Sequence, residues 1–253
     1  MRDVLQELSD GKISITEAEA KLLGYVTSEA GRFDAAREHR HGIPEGILCD
    51  GKTIDEIVTL ASIAVETTGR AIITRTTPQI QEAIQKNLPK SVEIKSHSHP
   101  RITVAKTPDF EPPVLDATIA IVTAGTSDRP IADEAAIIAS EMGANIVQIR
   151  DVGVAGLHRL LDQLELIRSA DVAIVAAGRE GTLPSLVAGL VDTPVIGLPV
   201  STGYGLGGSG EAALTSMLQS CAVLSTVNID AGFVAGAQAG MIAKSISSAR
   251  NQN

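Results

Sequence analysis

Residues 118–136 read TIAIVTAGTSDRPIADEAA. An apolar run stops at Gly125, passes through Thr126, Ser127 and Asp128, and resumes with apolar residues at helical spacing. This is the pattern of a buried strand, a tight turn and an amphipathic helix. The turn has two readings: Asp128 or Ser127 is an N-cap satisfying free N–H groups of the following helix, or the strand delivers Asp128 to a site. The same unit recurs downstream. Apolar runs at 118–124, 145–150, 172–177, 194–200 and 224–229 predict strands, and helical patterns fall at 128–142, 156–168, 183–191, 209–221 and 231–249. Five apolar strands alternating with helices predict an α/β fold, a parallel five-stranded sheet with helices on both faces. Ligands of such sheets gather beyond the carboxyl ends of the strands. The loops at 125–129, 151–156, 178–184 and 201–210 therefore converge on one rim.

Upstream, KTPDFEPPVLD (106–116) places Pro108, Pro112 and Pro113 between periodic segments, a linker signal that divides the chain into 1–110 and 111–253. The first part reads as a smaller α/β domain. It opens with a helical hairpin (RDVLQELSDG, then SITEAEAKLLG capped by Ser14 or Thr16) and a polar, loop-like stretch at 27–52. A helix capped by Thr53, a strand at 70–75, a helix at 77–88 and a strand and turn at 92–105 follow. Aromatic residues make up 2% of the 253 residues and Trp is absent, so the core is built from Ala, Val, Ile and Leu, which suits strands buried on both faces. A net charge of −9 argues against a nucleic-acid or acidic-membrane partner, yet a helix N-terminus and a few arginines still hold a small anion. The two cysteines, Cys49 and Cys221, are too few for a disulfide scaffold or zinc cluster. The first residues lack the apolar core of a signal peptide and no apolar run reaches membrane-span length, so a cytoplasmic protein is expected.

Two further loops carry chemistry. In AAGREGTLPSLVAGLVDTPVIGLPV (176–200), Gly178 ends a strand, Arg179, Glu180, Gly181 and Thr182 follow, and Pro184 opens a helix. Glu180 is either a surface residue favoured by the helix dipole or a carboxylate facing Asp128 across the rim. STGYGLGGSGEAA (201–213) brings Ser201 and Gly203, Gly205, Gly207, Gly208 and Gly210 ahead of a helix. That is either a flexible lid or an anion cradle of backbone amides. It is not a P-loop, since no Gly-Lys-Ser/Thr follows. Cys221 closes the helical pattern EAALTSMLQSCA, where a lone cysteine ordinarily serves as a small hydrophobe. His97 and His99 alternate in KSHSHP with no third ligand in sight, which favours a surface strand over a metal site.

At these loops the chain resembles the PurE-type aminoimidazole ribonucleotide carboxylases and mutases, which carry a Gly-Ser-x-Ser-Asp loop after the first strand and an Ala-Gly…His-Leu-Pro-Gly loop after the third. The resemblance implies a flavodoxin-like domain, with Asp128 matching the aspartate of the first loop. Thr182 stands where that family has its histidine. FDAAREHRHGIPEGILCDGKT (33–53), TRTTPQ (74–79), GREGTLPSLVAGLVDTPVIG, GYGLGG and LQSCA…VNIDAGFVAG extend the likeness over nearly the whole chain and resemble the LarB family. That resemblance implies a carboxylase and hydrolase of nickel-pincer nucleotide biosynthesis. Such an enzyme carboxylates the pyridinium ring of nicotinic acid adenine dinucleotide and cleaves its phosphoanhydride, yielding pyridinium-3,5-biscarboxylic acid mononucleotide and AMP. The superfamily also implies a homo-oligomer, an octamer.

A pyridinium ring is electron-poor and cannot attack CO₂ directly. A soft nucleophile that is also a leaving group must add first, which singles out a cysteine, and Cys221 lies in the matching motif. Asp128 or Glu180 takes the ring proton. CO₂ or bicarbonate is the co-substrate, and no biotin is called for. Phosphoanhydride hydrolysis suggests Mg²⁺ or another divalent cation, with Glu180, Asp128 and Asp133 as candidate ligands. Gly125, Thr126, Ser127, Arg129 and the glycine loop would hold phosphate or carboxylate, with Arg37, Arg40 and Arg75 reaching in from the first domain or a neighbouring subunit. Two other readings compete: a PurE-like ribonucleotide carboxylase or mutase, and a non-catalytic nucleotide-binding module.

Overall fold

The computed structural model describes residues 1–203 and 205–252. The chain forms two units, Met1–Glu111 and Pro112–Asn253.

The first unit begins with helices α1 (Arg2–Ser9) and α2 (Ile15–Leu23). Ser14 caps α2 by accepting the Glu17 N–H while Glu17 bonds back to the Ser14 N–H, and Gly24 ends it in the left-handed region. The stretch expected to be loop instead contains β1 (Val26–Ser28), β2 (Gly31–Phe33), the short helix α3 (Arg37–His41) and β3 (Gly46–Leu48). Each is three to five residues long, too short for periodicity to register. Then come α4 (Ile54–Thr68, with a capping box at Thr53 and Glu56), β4 (Arg70–Thr74), α5 (Pro78–Asn87), β5 (Glu93–His97) and β6 (Ile102–Lys106). The order β3-β4-β6-β5 makes a mixed sheet, with β1 and β2 a separate hairpin. Ile57, Ala61 and Ala64 of α4 and Ile80 and Ile84 of α5 share one core with Ala71, Ile73 and Ala105 of the sheet.

The second unit alternates as expected: β7 (Thr118–Thr123), α6 (Arg129–Glu141), β8 (Asn145–Ile149), α7 (Leu157–Asp162), α8 (Leu164–Arg168), β9 (Val172–Ala177), α9 (Thr182–Ala188), β10 (Val195–Pro199), α10 (Glu211–Leu218), β11 (Ser225–Thr226) and α11 (Gly232–Arg250). Single 3₁₀ turns, Thr126–Asp128 and Val154–Gly156, lead into α6 and α7. The helix expected at 156–168 is broken at Gln163, and the last strand is two residues long rather than six. All strand pairs are parallel, in the order β11-β10-β9-β7-β8. Ile119 and Ile121 pack with Ala132, Ala135 and Ala139 of α6 and Ala235, Ala239 and Ala243 of α11 on one face. Ala120 and Val122 pack with Leu160, Ile167, Leu183, Val187 and Met217 on the other. The small residues of α11 serve packing inside the subunit: a Cβ on Gly236 would stand 2.4 Å from the carbonyl oxygen of Ala135. No helix among the described residues is long and apolar enough to cross a membrane.

Candidate active site

In this strand order the chain reverses direction between β7 and β9, which makes the carboxyl ends of those two strands the topological switch point where such sheets bind ligands. The Asp128 side chain sits there, 5% exposed. Its Oδ2 accepts the Gly125 N–H at 2.8 Å and its Oδ1 accepts the Gly178 N–H at 3.2 Å. One carboxylate thus staples the loop after β7 to the loop after β9. It makes no side-chain cap to α6, so the capping reading applies only to the 3₁₀ turn that it closes back onto Gly125. Burial pushes its carboxyl above the usual range, against the pull of the hydrogen bonds from Gly125, Gly178 and Thr202.

A cavity of about 440 Å³ opens at this staple, with Ser127, Asp128, Arg159, Glu180, Thr182 and Thr202 on its walls. Gly125, Gly178 and Gly181 line it as well. A second recess of about 260 Å³ shares Arg179, Glu180 and Gly203 with the first and extends to Gly207 and Gly208. Arg179, at φ 44°, and Gly181, at φ 63°, both lie in the left-handed region, a costly conformation for arginine. This bend sets Glu180, exposed, between the two recesses. The glycine loop therefore borders the site on the side away from β7; its Tyr204 lies outside the described residues.

Other candidates fall elsewhere. Thr126 is exposed and off the cavity wall. Arg129 is engaged by Asp151 at 2.6 Å. Pro184 is buried in α9. Ser201 donates its N–H to Asp230, and Gly205 is exposed beyond both recesses. Asp133 pairs with Arg150 at 3.1 Å. In the first unit, Arg75 pairs with Asp50, Arg37 with Glu45 and Arg40 with Asp34. The expected metal set of Glu180, Asp128 and Asp133 is not assembled: Asp128 spends its oxygens on backbone amides and Asp133 on Arg150. Among the described residues no group of three or more His, Cys, Asp or Glu side chains could hold a metal ion. These residues do not fit a protein-built metal site.

The cysteines divide unexpectedly. Cys49 is buried in the first unit's core, and burial, then the Asp50 charge, pushes its thiol up to about 11. Cys221 is exposed. It lies beyond the end of α10 and before β11, whose Ser225 pairs with Ile196 near the start of β10. That is the amino rim of the sheet, whereas the cavity is at the carboxyl rim. With β9 six residues long, the two rims of one subunit are roughly 15–20 Å apart. Within one subunit the fold therefore sets Cys221 apart from Asp128 and Glu180, the two carboxylates expected to share its chemistry.

Arg159 and Thr202, which the motifs do not single out, both line the cavity. The available signal was position: Arg159 sits in the first turn of the helix after the 151–156 rim loop, and Thr202 opens the glycine loop.

Residues 25–107 match the LarB/PurE-like N-terminal domain. Residues 118–253 match AIR carboxylase. The chain belongs to the LarB branch of the AIR carboxylase family. Over 252 residues this LarB-family chain is 39% identical to an uncharacterised protein of Methanocaldococcus jannaschii, covering 96% of this chain and 97% of that one. It is 35% identical over 119 residues to the N5-carboxyaminoimidazole ribonucleotide mutase of the same organism, covering 45% of this chain and 71% of the mutase. The corresponding mutase of Thermotoga maritima is 32% identical over 90 residues, 33% of this chain and 50% of that enzyme. These relations give the LarB-family protein a carboxylase-type role in the PurE superfamily.

Proposed function

We propose that this protein carboxylates the pyridinium ring of nicotinic acid adenine dinucleotide and hydrolyses its phosphoanhydride, releasing pyridinium-3,5-biscarboxylic acid mononucleotide and AMP. The observation that carries the reading is a cavity with Glu180 on its wall and Thr182 where the PurE pattern has histidine. A site without that imidazole suits a substrate whose ring must be activated covalently rather than by histidine-mediated proton transfer. The LarB-type N-terminal domain supports the same reading.

In the proposed sequence a cysteine thiolate adds to the ring para to nitrogen, and the dihydropyridine so formed is an enamine. Its nucleophilic carbon bonds to CO₂. Glu180 accepts the proton lost from that carbon, and the thiolate departs with its bonding electrons, restoring the aromatic pyridinium. Water then divides the phosphoanhydride. Asp128, held by two amides, positions the β7 and β9 loops rather than shuttling the proton. Since Cys221 lies on the amino rim, its participation requires a neighbouring copy of the chain, in keeping with a homo-oligomer.

Incubation with nicotinic acid adenine dinucleotide and bicarbonate should release AMP and a mononucleotide heavier than nicotinic acid mononucleotide by one carboxylate, read by chromatography and mass spectrometry. Glu180→Gln should bind the dinucleotide and turn over less than about 1% as fast, the scale of a lost general base. Wild-type protein that instead interconverts aminoimidazole ribonucleotides, or binds the dinucleotide without turnover, rules the reading out.

A further inference from the structure

We propose that Arg159 reads the carboxylate on the substrate's pyridinium ring and so selects the acid form of the dinucleotide over the amide form; this rests on the function proposed above. Arg159 lines the larger recess, and among the described residues its guanidinium makes no hydrogen bond or ion pair. Its seat is built by the preceding turn. A Cβ on Gly156 would stand 2.7 Å from Nε and 2.9 Å from Nη2 of Arg159. The bare Cα thus lets the guanidinium fold back over the start of its own helix. A planar fork of donors with no protein acceptor matches a carboxylate in two-pronged geometry.

The placement separates this anion site from the one the phosphates need. Arg159 shares the larger recess with the apolar walls of Val154, Ala155 and Leu183, and none of these four lines the smaller one. The smaller recess carries Gly207 and Gly208 just ahead of α10, where backbone amides and the helix dipole favour phosphate. A flat ring with one carboxylate fits the first environment. The pyrophosphate fits the second, and Glu180 stands between them. A carboxamide in place of the carboxylate would leave the guanidinium facing a neutral group that is itself part donor, so the amide form should bind more weakly.

The test titrates the full-length protein with nicotinic acid mononucleotide and with nicotinamide mononucleotide by calorimetry. Wild type should favour the acid by at least about tenfold. Arg159→Gln should weaken the acid by roughly 10–100-fold, the range for hydrogen bonds between charged groups, while changing the amide less than about threefold. Gly156→Ala, which crowds the guanidinium without removing it, should shift the preference the same way. Equal loss for both nucleotides would mean that Arg159 holds phosphate, and no change for either would mean that it holds nothing; both outcomes overturn the proposal. Wild-type protein that binds neither nucleotide overturns the functional reading and this inference together. Wild-type turnover with an unaffected Arg159→Gln variant overturns this inference alone.

Discussion

At the scale of single residues, Asp128 shows why a polar side chain belongs at the end of a buried strand. Its carboxylate replaces hydrogen bonds that two loops cannot make to each other, and it does so at the cavity wall. An Asn side chain has one acceptor oxygen and one amide donor, so Asp128→Asn leaves either the Gly125 or the Gly178 N–H facing a donor. The variant should lose about 1–3 kcal/mol, the cost of an unsatisfied buried group, and turnover should fall with the loop geometry. The pH dependence has a definite sign. Burial raises this carboxyl in the folded state, so the folded protein holds the proton more tightly than the unfolded chain. That contribution is fully present below the unfolded value and is lost as pH rises through the folded one. Urea midpoints measured from about pH 4 to about pH 7 should therefore show wild type losing ground relative to the Asn variant as pH rises. The Asp-to-turn relation was legible in the sequence; the second bond, to an amide fifty residues away, was not, because spacing along the chain carries no record of which loops meet.

Among the elements, the α6–α11 pair is the most tightly specified. Gly232, Gly236 and Gly240 recur every fourth residue along α11, and a Cβ at any of them would meet α6 or its C-terminal Met142 within 2.7 Å. The four-residue spacing by itself fits an interface between subunits as well as one within a subunit. The observed partner, a carbonyl of α6, decides the matter. Gly236→Ala should force the helices apart and cost about 1–3 kcal/mol, the usual range for overpacking. Thermal melts would measure it, and an unchanged melting temperature would contradict the packing described. The elements that escaped the sequence reading, β1, β2, α3 and β3, are held by tertiary pairing: β3 exists because Gly46–Leu48 lies parallel to Ile72–Thr74 of β4. Three residues cannot display a period, whatever their composition.

For the whole molecule, the opposed placement of Cys221 and the cavity makes a strong demand. If the cysteine acts on substrate held at the carboxyl rim, it does so across a subunit boundary. Cys221→Ser and Glu180→Gln should each be inactive alone, yet coexpressed mixtures should recover activity. Random assembly in a symmetric oligomer pairs an intact cysteine with an intact glutamate at roughly one site in four. AMP release by the purified mixture would be the readout, and a dead mixture would confine both residues to one chain. The sequence by itself determined the parallel sheet, its five strands and the rim where its loops collect, because buried strands and capped helices write their periods and turn residues locally. It also determined the chemistry on offer: a carboxylate on each of two loops, a glycine-rich third loop and one cysteine in the LQSCA motif. Only the tertiary structure decided which of these meet. It drew Arg159 into the cavity, gave Asp133 to Arg150 and sent Cys221 to the opposite rim, because which end of a sheet a loop occupies, and which cation a carboxylate pairs with, depends on strand order and helix packing between residues far apart in the chain.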